Sequence, residues 1–268
     1  MNKKSKQKTK NLINPQQISQ WFAMATRAIQ NEDWDTVIRT CKRILIYTPK
    51  KSTDRADALT YLANAYGMQE NFNSAYQTLN EALTITPDEP LLWYNRGITD
   101  RYLFLIGQSV RDMEQAIRLN QDPEFKQKFE DALQTSKMLA KSELTLRPKE
   151  FTLDQLIEQQ ECFFQGNAWM LKGNWSEAEQ YFRSAISMSD CLPSPQGNLG
   201  ICLMMQRRYD EAKTAMKRAL EIDNKYDLAK QNLKILENVR NGAPLPPFQI
   251  SQPFKGNANV SMSVYHKK

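Results

Sequence analysis

Four columns of residues recur at a fixed spacing, and they restrict the fold more than any other feature of the chain. One column holds Ala63, Gly97, Gly166 and Gly200, and a second holds Ala75, Ser109, Ala178 and Ala212. A third holds Leu79, Met113, Phe182 and Met216, and a fourth holds Ala82, Ala116, Ala185 and Ala219. Successive members lie 34 residues apart, except for one step of 69, about two repeats. Small residues in three columns and a large apolar residue in the other suit two antiparallel helices per repeat. The small residues let neighbouring helices approach closely, and the large one fills the space between them. A helix of about 13 residues is roughly 20 Å long. One such hairpin cannot bury both of its faces, so hairpins must stack to make a core.

The pattern resembles the tetratricopeptide repeat family. Residues 56–89 give the clearest copy, with Leu59, Leu62, Ala63, Tyr66, Ala75, Leu79, Ala82 and Pro87 at the signature places. The copy at 90–123 carries Trp93, Gly97, Ser109, Met113 and Ala116. The copy at 159–192 has Gly166, Trp169, Ala178, Phe182 and Ala185, and that at 193–226 has Leu199, Gly200, Leu203, Ala212, Met216 and Ala219. A first copy at 18–51 fits through Trp21, Met24, Ala25, Cys41, Ile44 and Pro49, with Ala28 and Val37 as substitutions. The resemblance implies an all-α fold, a right-handed superhelical solenoid of antiparallel helix hairpins over residues 15–240.

Residues 124–158 fill one repeat length without the signature. Asp122-Pro123 is a helix start, with Phe125, Phe129, Ala132 and Leu133 at helical spacing to about Ala140. Thr152-Leu153-Asp154-Gln155 reads as a capping box that opens a helix to about Leu171. The expectation is a lengthened, non-standard hairpin, either a degenerate repeat or an inserted contact surface. Residues 226–240 read as a capping helix with a soluble outer face.

Two tails flank this body. Residues 1–14 form a basic tail with Lys3, Lys4, Lys6, Lys8 and Lys10, expected to be disordered. Residues 241–268 add Lys255, Lys267 and Lys268 and no acid. The net charge of +6 comes from these ends, because the body carries 28 basic residues against 30 acidic ones. A basic nucleic-acid cradle is therefore not the expected use of the body. The segment Ala243-Pro244-Leu245-Pro246-Pro247-Phe248-Gln249-Ile250 cannot be helical and favours polyproline geometry. It reads as a docking motif for another protein, as a strap along its own superhelix, or as a free end.

Catalytic patterns are missing. The single histidine, His266, stands two residues from the end, and the four cysteines, Cys41, Cys162, Cys191 and Cys202, form no C-x-x-C pair. Neither general acid–base chemistry by histidine nor a zinc site is expected. There is no Gly-rich phosphate loop, G-x-S-x-G or H-E-x-x-H. No cofactor and no metal are expected, no stretch is long and apolar enough for a membrane span, and the expected compartment is the cytoplasm.

In the family that the chain resembles, the first helix of each hairpin lines the concave face. That implies a groove built from Tyr61, Asn64, Tyr94, Asn95, Arg101, Tyr102, Phe163, Asn167 and Asn198. Asparagine both donates and accepts, which suits the backbone of an extended peptide, and tyrosine adds apolar area with one hydroxyl. The expected function is a non-catalytic adaptor or scaffold that holds an extended segment of a partner protein. The alternative is an accessory protein that touches nucleic acid or a membrane through its lysine-rich N-terminal tail.

Overall fold

The computed structural model describes residues 14–241. The lysines of residues 1–10 and the proline-containing segment after Asn241 lie outside the described residues. Among the described residues all regular structure is α-helical. The helices are α1 (Pro15–Gln30), α2 (Trp34–Tyr47), α3 (Thr53–Met68), α4 (Phe72–Leu83), α5 (Pro90–Tyr102) and α6 (Ile106–Leu119). They continue with α7 (Pro123–Thr145), α8 (Leu153–Leu171), α9 (Trp175–Met188), α10 (Pro193–Met205), α11 (Tyr209–Ile222) and α12 (Asp227–Arg240). Two compact units contain them: residues up to Thr99 with Gln115–Lys126, and Asp100–Glu114 with residues from Gln127 on.

The helices start where short polar side chains satisfy free backbone N–H groups. Asp33 accepts from the Thr36 N–H at 3.1 Å, Ser52 from Arg55 at 3.2 Å and Asn71 from Ser74 at 3.3 Å. Thr152 and Gln155 form the capping box reciprocally, with N–H to side-chain oxygen distances of 3.2 and 2.9 Å.

Five turns close in one way. Glu32, Glu70, Phe104, Gly173 and Arg207 have φ of 56°, 57°, 60°, 73° and 62°, the left-handed region. After each, the next N–H bonds back to a carbonyl five residues earlier: Asp33 to Ala28, Asn71 to Tyr66, Leu105 to Asp100, Asn174 to Trp169 and Arg208 to Leu203, all at 2.8–2.9 Å. This closure is the Schellman pattern, and it ends the first helix of each hairpin while aiming the chain into the second.

In the first unit α2 packs on both α1 and α3, and α3 on α4. Ala25, Val37, Cys41, Leu62 and Ala65 make one apolar cluster; Leu59, Ala63, Leu79, Ala82 and Leu92 make another. In the second unit α8 packs on α9, α9 on α10, α10 on α11 and α11 on α12. Its largest cluster holds Phe163, Met170, Ala178, Phe182, Leu199 and Met216.

The small-residue columns sit where helices cross most closely. A Cβ on Gly166 would stand 2.7 Å from the Phe182 ring, whereas one on Gly67 would meet nothing within 4 Å. Gly67→Ala is therefore expected to stabilise the first unit by about 0.5–1 kcal/mol through helix propensity. Gly166→Ala is expected to destabilise the second by about 1–3 kcal/mol, because a buried ring must move. Urea denaturation of the two single variants checks both signs.

Residues 124–158 hold one long helix, α7, and the first turns of α8. Helix α7 continues to Thr145, five residues past the point where its apolar spacing fades. The reason is Arg147, which folds back and donates through Nη1 to the Glu143 carbonyl at 2.6 Å and to its carboxylate at 3.1 Å. Its Nε donates to Gln159 Oε1 at 2.7 Å, and Gln159 Nε2 donates to the carbonyls of Ala185 and Ser189, each at 3.0 Å. This buried knot ties the loop after α7 to α8 and to the end of α9. Ser109 and Ser136 meet at 2.8 Å where α6 lies against α7.

A second polar clamp joins α9 to the turn between α10 and α11. Glu179 accepts from Arg183 at 2.8 Å, from Gln206 at 2.8 Å and from Arg208 at 2.7 Å. Burial pushes its carboxyl up, but the bonds from Arg183, Gln206 and Arg208 outweigh that and hold it below the usual carboxylate range.

Candidate functional site

The residues that the sequence places in a groove lie on the first helices of hairpins, α3, α5, α8 and α10. Four of them belong to the first unit. Asn64 is exposed on α3, and Asn95 of α5 is half-buried. The Asn95 side-chain N–H donates to Asn64 Oδ1 at 3.3 Å. Tyr61 stands one turn before Asn64, half-buried, its ring edge-on to Phe22 of α1 at 6.0 Å. Tyr94 is buried.

The other five belong to the second unit. Asn198 of α10 donates to Asn167 Oδ1 of α8 at 2.8 Å, and Asn167 is half-buried while Asn198 is fully enclosed. Phe163 is enclosed too, tilted against Phe182 at 5.6 Å. Arg101 is buried and Tyr102 half-buried. Tyr61, Asn64, Asn95, Tyr102 and Asn167 are thus the members of the set that a solvent-borne partner reaches most directly.

Sequence reasoning picked the asparagines singly and missed that they pair. Both pairs have the same offset, 31 residues, from Asn64 to Asn95 and from Asn167 to Asn198. That is one repeat less about one helical turn, the shift at which side chains of successive first helices meet. Two asparagines 31 apart were the available signal.

Sequence reasoning also missed a depression of about 280 Å³ lined by Asn14, Gln17, Trp21, Arg43 and Tyr47. The Arg43 guanidinium lies over the Trp21 ring at 5.0 Å, and the Tyr47 ring is 5.6 Å from the same indole. Trp21 and Tyr47 come from the facing helices of one hairpin, and only the pairing of α1 with α2 brings them together.

Three of the four cysteines, Cys41, Cys162 and Cys202, offer no ready nucleophile. Burial pushes the thiols of Cys41 and Cys202 up to about 12, and the Glu179 carboxylate adds to the effect at Cys202. Cys162 is also raised, first by burial and then by Glu158 and Glu161. These thiols stay protonated at neutral pH and act as small apolar groups. Among the described residues no group of three or more His, Cys, Asp or Glu side chains could hold a metal ion, and no helix is long and apolar enough to cross a membrane.

The sequence profile of the tetratricopeptide repeat matches residues 195–226, the α10–α11 hairpin with the turn that follows it. Those residues are a tetratricopeptide repeat. The other hairpins share this repeat's turn closure, and the α3–α4, α5–α6 and α8–α9 hairpins share its four columns. No curated protein matches the chain. Among solved structures, that of MamA protein aligns with 87% of this chain and 100% of its own, at 15% identity and a TM-score of 0.37. The TPR2AB domain of yeast Sti1 in complex with pHSP90 aligns over 85% of each chain, at 14% identity and a TM-score of 0.41. YrrB, described as a TPR protein with an unusual peptide-binding site, aligns over 80% of this chain and 90% of its own, at 15% identity and a TM-score of 0.34.

Proposed function

We propose that this chain is a non-catalytic adaptor that takes an extended segment of a partner protein along the first helices of its hairpins. The observation that carries the reading is the pair of asparagine contacts at one offset, Asn64–Asn95 and Asn167–Asn198. The Asn64–Asn95 bond uses one donor and one acceptor of two amides that can each donate twice and accept twice. Asn64 is exposed and Asn95 half-buried, and their remaining capacity suits the alternating N–H and C=O groups of an extended backbone. In the first unit Tyr61, one turn before Asn64, supplies the apolar area that such a backbone needs beside it, with a hydroxyl at the rim. Tyr94, Arg101, Phe163 and Asn198 act from beneath by fixing the helices that present these groups. Helices held by packed cores need little ordering on binding, so the contacts count towards affinity.

The test is affinity capture from an extract of the source cell with the native chain and with Asn64→Ala/Asn95→Ala, both checked for helicity. A neutral hydrogen bond contributes about 1 kcal/mol, so two lost amides are expected to weaken a groove ligand by at least about tenfold. A partner retained by the native chain and lost from the variant supports the reading. A partner set that is unchanged overturns it. Steep loss of the same partners with rising salt would shift the assignment to the lysine tail, since contacts to phosphates release counterions.

A further inference from the structure

The depression on the α1–α2 hairpin is built around Arg43. Its walls come from the start of α1 and the end of α2: Asn14, Gln17, Trp21, Arg43 and Tyr47. The Arg43 guanidinium lies over the Trp21 indole. Stacking occupies the face of a guanidinium and leaves the fork of N–H donors at its edge. Among the described residues that fork meets no acceptor and no carboxylate. The sequence explains why. Residues 14–31 and 36–53 contain no Asp or Glu, and neither do residues 1–13 and 242–268. Glu32, Asp33 and Asp35 stand at the turn between α1 and α2, the opposite end of the hairpin.

Two other hairpins show what the same register does when its charges are matched. Aligned through Cys41 and Leu79, Gln17 corresponds to Arg55 and Arg43 to Glu81. There Arg55 Nη2 and Glu81 Oε1 form an ion pair at 2.7 Å. Aligned through Cys41 and Met216, Trp21 corresponds to Gln196 and Arg43 to Arg218. There the Asp190 carboxylate, from the non-helical segment before α10, accepts from Gln196 Nε2 and from Arg218 Nε, each at 2.8 Å. The α10–α11 hairpin thus holds a carboxylate, delivered by a chain segment, at the register where the α1–α2 hairpin has a depression.

We propose that the depression of the α1–α2 hairpin binds an Asp or Glu side chain of a partner protein's extended segment, with Arg43 as its counter-ion and an apolar residue of that segment against Tyr47. The guanidinium fork matches a carboxylate bidentately, and the indole beneath fixes its plane in advance. Tyr47 stands where the α10–α11 hairpin has Ile222 and is 45% exposed, so it offers an aromatic wall beside the charge. The volume of about 280 Å³ falls at the small end of ligand pockets, which run from about 300 to 1,000 Å³. It suits one or two side chains and gives a small free carboxylate little to bury. A chain segment is also what delivers the acid to Arg218. The inference does not rest on the proposed function: it shares none of the groove residues, and either can fail alone.

The test titrates a fluorescent, end-blocked peptide, Gly-Ser-Asp-Phe-Gly-Ser, and its Asn analogue against four full-length proteins of verified helicity. These are the native chain, Arg43→Gln, Gln17→Glu and Asn64→Ala/Asn95→Ala. The native chain is expected to bind the acidic peptide at least about tenfold more tightly than the analogue, the scale of a charge-assisted hydrogen-bond pair. Arg43→Gln is expected to abolish that preference. Gln17→Glu is expected to do the same, because it supplies Arg43 with a carboxylate from within the hairpin, in the register where Arg55 meets Glu81. Asn64→Ala/Asn95→Ala is expected to leave the preference intact. Equal affinity for the two peptides, or no binding of either at millimolar protein, overturns the proposal. So does a preference that survives Arg43→Gln, or one lost only from the asparagine variant, which places the peptide in the groove. Full displacement by millimolar acetate, with chloride at the same concentration as the control, assigns the site to free carboxylates and overturns the segment as its ligand.

Discussion

Phe182→Ala is expected to cost the second unit about 3–5 kcal/mol, the range for deleting a fully buried aromatic ring. Phe182 is 0% exposed on α9 and stands between Phe163 and the bare backbone of Gly166 on α8. Cores relax least where a cavity is walled by backbone, and Gly166 has no side chain that could swing into the space. The loss should therefore fall at the upper end. A falling urea midpoint with the slope preserved is the expected reading. The geometry also predicts coupling. Gly166→Ala alone forces the ring to move, but its methyl would partly fill the cavity left by Phe182→Ala. The double variant is expected to be more stable than the sum of the singles implies, by about 1 kcal/mol or more. Strict additivity would mean that the ring and the glycine do not share one site.

Gln159→Leu is expected to cost about 3 kcal/mol, because it strips three buried hydrogen bonds while keeping most of the volume. The guanidinium of Arg147, whose side chain is 0% exposed, loses its 2.7 Å acceptor. The carbonyls of Ala185 and Ser189 lose the amide that bridges them at the end of α9. Removing one member of a buried polar group costs more than removing the charge as well. The double variant Arg147→Met/Gln159→Leu is thus expected to regain about half of the loss, and a double-mutant cycle by denaturation measures it. A single variant within about 0.5 kcal/mol of the native chain would show that water replaces the amide without cost.

Packing was legible in the sequence wherever it repeats. Gly166 against Phe182 and Gly200 against Met216 are column residues, and their contacts follow from the column spacing. The start of α8 was legible because a capping box is local, four residues that bond to one another. The end of α7 was not, because it depends on Arg147 reaching Gln159 across a loop, a contact that no periodicity encodes. The candidate groove was legible as residue types and not as geometry. Nothing in a single repeat says that Asn64 meets Asn95, or that Phe163, at the place of Thr60 in an earlier copy, turns into the core.

The five left-handed turns bear on how such a chain can change over time. Their closure is made by backbone atoms alone, a bond from an N–H to a carbonyl five residues back. Side-chain identity at the pivot enters only as about 1–2 kcal/mol of steric preference for glycine, and the five copies hold Glu, Glu, Phe, Gly and Arg there. The pivot is thus almost unread by the fold. Descendants of one ancestral repeat can drift apart there in charge and size while their columns stay aligned, so the turn edge is where two chains with the same core are free to differ most.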